Sequence, residues 1–382
     1  RFASYSLMPL CAMSKTTFAA LMIFLFTNLS KGKESNATEK WRNIPGDRHN
    51  MKCPVCEKNC VRPAEEVLAD IEQRYLACPA CAPDPNLDKT ARAKLLPDRV
   101  ERCRSCGRAT LDGVMLDALR LLQGYGLREK NDGLRSVGSP LIEVGYPLAY
   151  SPRLGPRSLI ISGERYSKKA AQAMIEQIPE IKGVILSRGV AGLVDGGGRP
   201  RENVLLAGCD LRTDISQSLF GELVIYKSQS RIHIEFSRQS APKMRILEQL
   251  YLQGKLRDVA DGLCGPGTLG LMCALAGAER VVLNDAWAPA VQNVLLNLEV
   301  NRKLLGIEEI EYPEKLTSIV GKEPVLVARA HGPCEIEVYH GDIKRLFSRA
   351  RPAKLCLIDH FPKANTAEIK EACRCCNEII VV

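Results

Sequence analysis

Three glycines and four aspartates in the last third of the chain have the types and spacing to bind a charged nucleoside. Gly265, Gly267 and Gly270 form G-x-G-x-x-G within RDVADGLCGPGTLGLMCALAGAERVVLND, residues 257–285. Glycines let backbone approach a ligand closely, and an acid about 20 residues on can take ribose hydroxyls. Asp285 stands at that distance. The glycine pattern alone is weak evidence, and Asp261 narrows it. This acid ends the apolar strand and gives D-x-x-C-G-x-G with Gly262 and Cys264. A carboxylate there repels a pyrophosphate and suits an ammonium. The loop therefore reads as a site for S-adenosyl-L-methionine, ahead of NAD or another nucleotide. A purely structural glycine turn is the bland alternative.

Such a loop needs a sheet to hold it. Apolar runs at Val259-Ala260, Val281 to Leu283, Ile336 to Tyr339, Leu355 to Ile358 and Ile379 to Val382 read as strands, with helices between them. An α/β fold with a doubly wound parallel sheet follows. Ligands of such sheets lie at the carboxyl ends of the strands. Asp261, Asp285, Asp342 and Asp359 all fall there, although four surface acids would look the same in sequence. The stretch from Ile307 to Pro333 reads as an insertion of no evident role.

A second chemistry lies near the start. Cys53-x-x-Cys56, Cys78-x-x-Cys81 and Cys103-x-x-Cys106 are three pairs at metal-ligand spacing, with Cys60 an extra candidate. Each pair can chelate from a tight turn, and two pairs complete a tetrahedral structural zinc site. Three pairs leave either one spare or two metals, and spacing does not settle the pairing. An iron–sulfur cluster is the rival, although C-x2-C-x3-C reverses the radical-enzyme order. Unliganded thiols are the other alternative. Cys373 and Cys376 share the spacing in an apparent helix and read as incidental. The chain has 16 cysteines. So many thiols in this spacing fit a reducing compartment, the cytoplasm, better than a secreted disulfide framework.

The 382 residues suggest several domains, and the net charge is +9. The first fifty residues hold seven Lys/Arg and three Asp/Glu, so +4 comes from them and +5 from the rest. That permits RNA binding without demanding it. Phe18 to Leu29 is apolar but too short to span a bilayer as a helix. Residues 1–50 are read as an upstream or disordered segment, with a membrane anchor as the alternative. Residues 51–137 form a cysteine-rich, zinc-ribbon-like module with helices over Pro63 to Tyr75 and Leu111 to Leu127. Residues 138–240 form a small α/β domain, and residues 241–382 the donor-binding domain. In the small domain, strands are expected at Leu159 to Ile161, Gly183 to Leu186 and Val204 to Leu206. A helix is expected over Lys168 to Gln177, its two lysines facing solvent. Leu223 to Tyr226 is expected to pair with Ile232 to Phe236 as a hairpin. Asp195 to Arg201, DGGGRPR, reads as a basic loop.

The order of features from residue 158 onward resembles the tRNA guanine-N1 methyltransferase family and its wyosine-synthesis relatives, which are class I S-adenosylmethionine-dependent enzymes with a Rossmann-like fold. The resemblance rests on Leu205-Leu206-Ala207-Gly208, Phe236-Ser237, Lys243-Met244-Arg245, the D-x-x-C-G-x-G strand, and Ala290, Asn297 and Asn301 in A-x6-N-x3-N. The cysteine module lies outside it. It implies an RNA substrate, with a tRNA guanine foremost. Gly262 to Gly267 would lie against the methionine part of the donor, and Asp285 would take the ribose hydroxyls. Asp342 would face the adenine amino group, and Asp359 the transfer site. Arg199, Arg201, Lys243 and Arg245 would contact phosphates.

Two departures bear on the reaction. The guanine-N1 enzymes carry N-L-P where this chain has Asp359-His360-Phe361-Pro362, and E-R-x-R where it has Pro242-Lys243-Met244-Arg245. The glutamate that the resemblance implies as the base is absent, and K-x-R is closer to the wyosine branch, which moves an aminocarboxypropyl group. Asp359 or His360 could serve as the base, with Pro362 and Arg245 beside the site. His360 could equally be an ordinary loop histidine. Transfer to a protein or small molecule, with zinc as a partner clamp, is a further alternative, and so is a non-enzymatic RNA binder.

Overall fold

In the amino-terminal half, helices begin where the chain supplies a cap or a favourable charge. The computed structural model describes residues 51–192, 202–235, 241–360 and 365–382. Helix α1, Ala64–Arg74, follows Pro63, opens on Glu65 and Glu66 and closes on Arg74, charges that suit the helix dipole. Its buried residues Ala64, Val67 and Ile71 lie on one stripe. Helix α2, Leu111–Gly124, is capped by Thr110, whose hydroxyl accepts from the Gly113 amide at 3.0 Å. Helix α3, Lys168–Gln177, is capped by Ser167 in the same way, and Lys168 and Lys169 are exposed. Strands β1 (Ala109–Thr110) and β4 (Arg153–Leu154) form a short antiparallel pair. A four-stranded sheet takes β2 (Ser139–Ile142), β5 (Leu159–Gly163), β6 (Ile181–Leu186) and β7 (Val204–Gly208), in that order. A three-stranded sheet takes β3 (Val144–Gly145), β8 (Leu211–Ser218) and β9 (Gly221–Ser228). The main apolar core of this half runs from Cys53 to Tyr226 and also takes in Leu296 and Val300, with a smaller cluster at Leu141, Ile160 and Ile185.

The hairpin differs from the sequence expectation. β9 pairs with β8, on its amino-terminal side, while the described residues 232–235 are not a strand. Arg212 and Asp214 hide β8 in the sequence, because a strand carrying both looks solvated. In the fold they sit two apart on one face and neutralise each other, Arg212 Nη1 to Asp214 Oδ1 at 2.5 Å, with both side chains buried. The basic loop 195–201 with Arg199 and Arg201, Phe236-Ser237, Pro362 and the apolar run 18–29 lie outside the described residues. Among the described residues, no helix is long and apolar enough to cross a membrane.

The carboxyl-terminal half is built on short apolar runs that are buried on both faces, the pattern of a covered parallel sheet. Its elements are α4 (Pro242–Leu252), β10 (Asp258–Asp261), α5 (Thr268–Leu275), β11 (Arg280–Asp285), α6 (Ala288–Val300), β12 (Glu309–Glu311), β13 (Val325–His331), β14 (Glu335–His340), β15 (Leu355–Ile358), α7 (Thr366–Ala372) and β16 (Glu378–Val381). The sheet order is β12-β13-β14-β11-β10-β15-β16. The five strands from β14 to β16 are parallel, as the α/β expectation required. The insertion at 307–333 supplies β12 and β13, which extend the β14 edge antiparallel. Chain order reverses between β10 and β15, which is where open parallel sheets place ligands.

Helix α6 joins the two halves. Strand β9 is an edge strand, and its outward backbone groups meet the side-chain amides of Asn293, Asn297 and Asn301. Four helical residues rise about 6 Å and two strand residues about 6.7 Å, so the rungs stay nearly in step. All three asparagines are fully buried.

Candidate functional site

The glycine loop is shaped by what each glycine must avoid. Gly265 and Gly267 have φ of +53° and +88°, in the left-handed region that side chains disfavour. Gly270 lies where α5 crosses β11, and a Cβ there would meet Leu283 Cδ2 at 2.1 Å. A Cβ on Gly262 would meet Ile343 Cδ1 at 2.4 Å. The Gly262 amide donates to Leu357 O at 3.1 Å and the Cys264 amide to Asn284 O at 2.9 Å, so the loop is pinned to β15 and β11.

Two acids are bound into this loop. Asp285 Oδ2 accepts from the Gly265 amide at 2.9 Å, and its Oδ1 accepts from the Trp287 amide at 2.8 Å. Each carboxylate oxygen has a second lone pair, so the acid can still accept from hydroxyls. Burial pushes its pKa up to about 6, against the pull of those two amides. Asp261 is fully buried, and its Oδ2 accepts from the Gly270 amide at 3.0 Å. Its Oδ1 is buried and has no hydrogen-bond partner among the described residues. Burial, then the negative charge of Asp359, pushes the Asp261 carboxyl up to about 8.

That shift fixes a sign. The folded ligand-free protein retains a proton on Asp261 that the unfolded chain releases near pH 4, so this group lowers stability as pH rises from about 4 to 8. Asp261→Asn should shrink the loss of urea stability between pH 5 and pH 8 by at least about 1 kcal/mol. Equal pH slopes for the two proteins would refute it.

Asn284 is a member the sequence did not reveal. It is fully buried, and its Nδ2 donates to Gly262 O at 3.0 Å and Gly341 O at 3.1 Å, tying together the loops after β10 and β14. Asp342 follows Gly341 and caps the short 3-10 turn at 343–348, accepting from the Lys344 amide at 3.0 Å. At the end of β15, Asp359 Oδ2 meets Lys243 Nζ at 2.6 Å, and the same nitrogen meets Glu235 Oε1 at 2.9 Å. Burial raises the Glu235 carboxyl, but His233, Lys227 and Lys243 together hold it well below the ordinary range. A glutamate thus stands beside Lys243 after all, from the segment just before α4. His360 Nε2 lies 2.8 Å from the Thr366 hydroxyl. Arg245 is exposed on α4.

The cysteines form two tetrads. Sγ atoms of Cys53, Cys56, Cys60 and Cys209 lie within 4.8 Å of one another, as do those of Cys78, Cys81, Cys103 and Cys106. Zinc with bonds of about 2.3 Å sets tetrahedral sulfur separations near 3.8 Å. Here Cys53–Cys209 is 3.6 Å, Cys56–Cys60 is 3.3 Å, and Cys78–Cys103, Cys78–Cys81 and Cys81–Cys106 are each 3.7 Å. Both donor sets fit the ion. The pairing left open by spacing resolves as one site from the second and third pairs, and another from the first pair with Cys60 and Cys209. Cys209 lies in the β7–β8 turn, 156 residues from Cys53, and no local pattern marks it. Arg157 Nη2 lies 3.4 Å from Cys60 Sγ, a cation suited to balance thiolate charge.

No protein-family model matches the chain, and no curated protein matches it. Among solved structures, it is similar to the M. jannaschii tRNA m1G37 methyltransferase, with 14% identity and a TM-score of 0.36 over 70% of this chain and 62% of that one. It is also similar to P. horikoshii TYW2 in complex with MeSAdo, with 13% identity and a TM-score of 0.32 over 63% and 69%. A third is Trm1 from Pyrococcus horikoshii with S-adenosyl-L-methionine, with 23% identity and a TM-score of 0.28 over 41% and 38%. The chain thus spans less than two thirds of the M. jannaschii enzyme. At these scores the likeness assigns no activity, which has to be read from the site.

Proposed function

We propose that the protein is an S-adenosyl-L-methionine-dependent methyltransferase acting on RNA, with a tRNA guanine as target. The observation that supports this most is the pairing of Asp285 with the Gly265 amide beside the unpartnered Oδ1 of Asp261. The first arrangement leaves lone pairs for ribose hydroxyls at the turn where backbone is bare. The second is a buried acceptor that an ammonium would fill, which a dinucleotide lacks. When bound, the donor supplies an electrophilic methyl carbon. The chain's residues do the rest. Gly262, Cys264, Gly265 and Gly267 shape the cradle, and Asp342 lies toward the adenine end. Asp359 and His360 are the groups at the end of β15 able to accept a proton from a target nitrogen, and Pro362 continues that loop. Lys243 holds Asp359 in place through their ion pair. Arg245, exposed on α4 two residues after Lys243, suits a phosphate. Zinc in the two cysteine tetrads would be structural, holding the amino-terminal module in shape.

One observation favours a second reading. Pro242 stands where the guanine-N1 family has its glutamate, and the adjacent Lys243 neutralises both Glu235 and Asp359. A site with its carboxylates so paired is poorer in free base, as transfer of an aminocarboxypropyl group to a tRNA wyosine precursor would allow. The full chain incubated with labelled donor and bulk tRNA, followed by nucleoside mass spectrometry, separates the two by the mass added. Binding of tRNA should also weaken steeply with salt, through phosphate contacts. No added mass on any nucleoside, with salt-independent binding, would leave a protein or small-molecule acceptor as the better account.

A further inference from the structure

The asparagine ladder does more than cover an edge. Asn301 Oδ1 accepts from the Val224 amide at 3.0 Å, and its Nδ2 donates to Val224 O at 2.7 Å. Asn297 repeats this two strand residues on, accepting from the Tyr226 amide at 2.7 Å and donating to Tyr226 O at 3.1 Å. Asn293 accepts from the Ser228 amide at 3.0 Å. Each side-chain amide offers one acceptor and a donor pair, so it stands in for the peptide of a missing neighbouring strand. The rungs differ in where the second donor goes. In Asn301 it returns to Asn297 O of the same helix at 2.8 Å, and the Asn293 amide donates within the helix too, to Pro289 O. In Asn297 it goes out to Pro266 O at 2.9 Å. Pro266 is the residue between the two left-handed glycines of the loop.

The geometry points to Asn297 as a positioning residue for the donor site, fixing the Gly265-Pro266-Gly267 backbone against β9 of the amino-terminal half. This rests on the donor reading above. A single planar amide, fully buried, holds the strand at Tyr226 and the loop carbonyl at once. Loop geometry and the docking of the two halves are therefore set by one group, and a change at either reaches the other through it. Because Gly265 donates to Asp285, a loop released at Pro266 also loosens the acid.

Asn301 provides the internal control, since it makes the same two bonds to β9 and none to the loop. Asn297→Ala and Asn301→Ala should lower the melting temperature by similar amounts. Only Asn297→Ala should weaken S-adenosyl-L-methionine binding by calorimetry, by about tenfold or more. Equal donor affinity in the two variants overturns the inference, whereas absence of binding in the unmodified protein overturns the donor reading itself. Should Asn297→Ala not fold, residue-resolved hydrogen exchange on the unmodified full chain decides. Saturating S-adenosyl-L-methionine should then slow exchange at Tyr226 together with Gly265 and leave Val224 unchanged. Protection confined to the loop, or equal at Tyr226 and Val224, counts against it.

Discussion

Alanine at position 285 is expected to remove measurable binding of S-adenosyl-L-methionine, a loss of about 100-fold or more in calorimetry. Two contributions add. Hydrogen bonds to a charged group are worth about 1.5–3 kcal/mol each, and a carboxylate gripping two ribose hydroxyls makes two. The same carboxylate also organises its own surroundings, because Oδ2 holds the Gly265 amide and Oδ1 the Trp287 amide. Removing it frees the loop as well as the contact. The pH dependence carries the same signature. With its pKa near 6, Asp285 is ionised at neutral pH and loses its charge below about pH 6, so donor affinity should fall there. Affinity unchanged in Asp285→Ala would remove the acid from the site.

The second large effect is expected at Cys209. The unmodified protein should carry two zinc ions per chain by elemental analysis, and Cys209→Ser one. Structural zinc contributes on the order of 10 kcal/mol of apparent binding energy in small domains, and that energy is part of folding. Cys209 is fully buried and crosses from the β7–β8 turn to the Cys53–Cys60 turn, so its tetrad closes a loop through most of the amino-terminal half. The variant should melt far below the unmodified protein, whereas Cys106→Ser, which alters the tetrad with an exposed ligand, should cost less. Two zinc ions retained in Cys209→Ser would exclude it as a ligand.

Much of the carboxyl-terminal half was legible in the chain. A buried parallel strand must be apolar throughout, so Val281 to Leu283 and Leu355 to Ile358 announce themselves. Gly265 and Gly267 are set by a local left-handed backbone that side chains disfavour. Other features were hidden because their cause is remote. Strand β8 looked solvated, since Arg212 and Asp214 cancel only once they share a face. Asn297 and Asn301 were visible as a spacing, but their partners lie about seventy residues earlier, in β9. Glu235 and Asp359 meet only through Lys243.

What the amino-acid order determined alone was local: period, turn chemistry, chelating pairs, and the acids at strand ends. Those follow from sterics and from groups within a few residues of each other. The folded molecule decided which distant groups meet, namely Cys209 as the fourth thiol, Asn284 as the tie between two loops, and the amide that joins β9 to the donor loop. Burial gives such contacts their value, because an unpaired polar group away from water costs free energy that an exposed one does not.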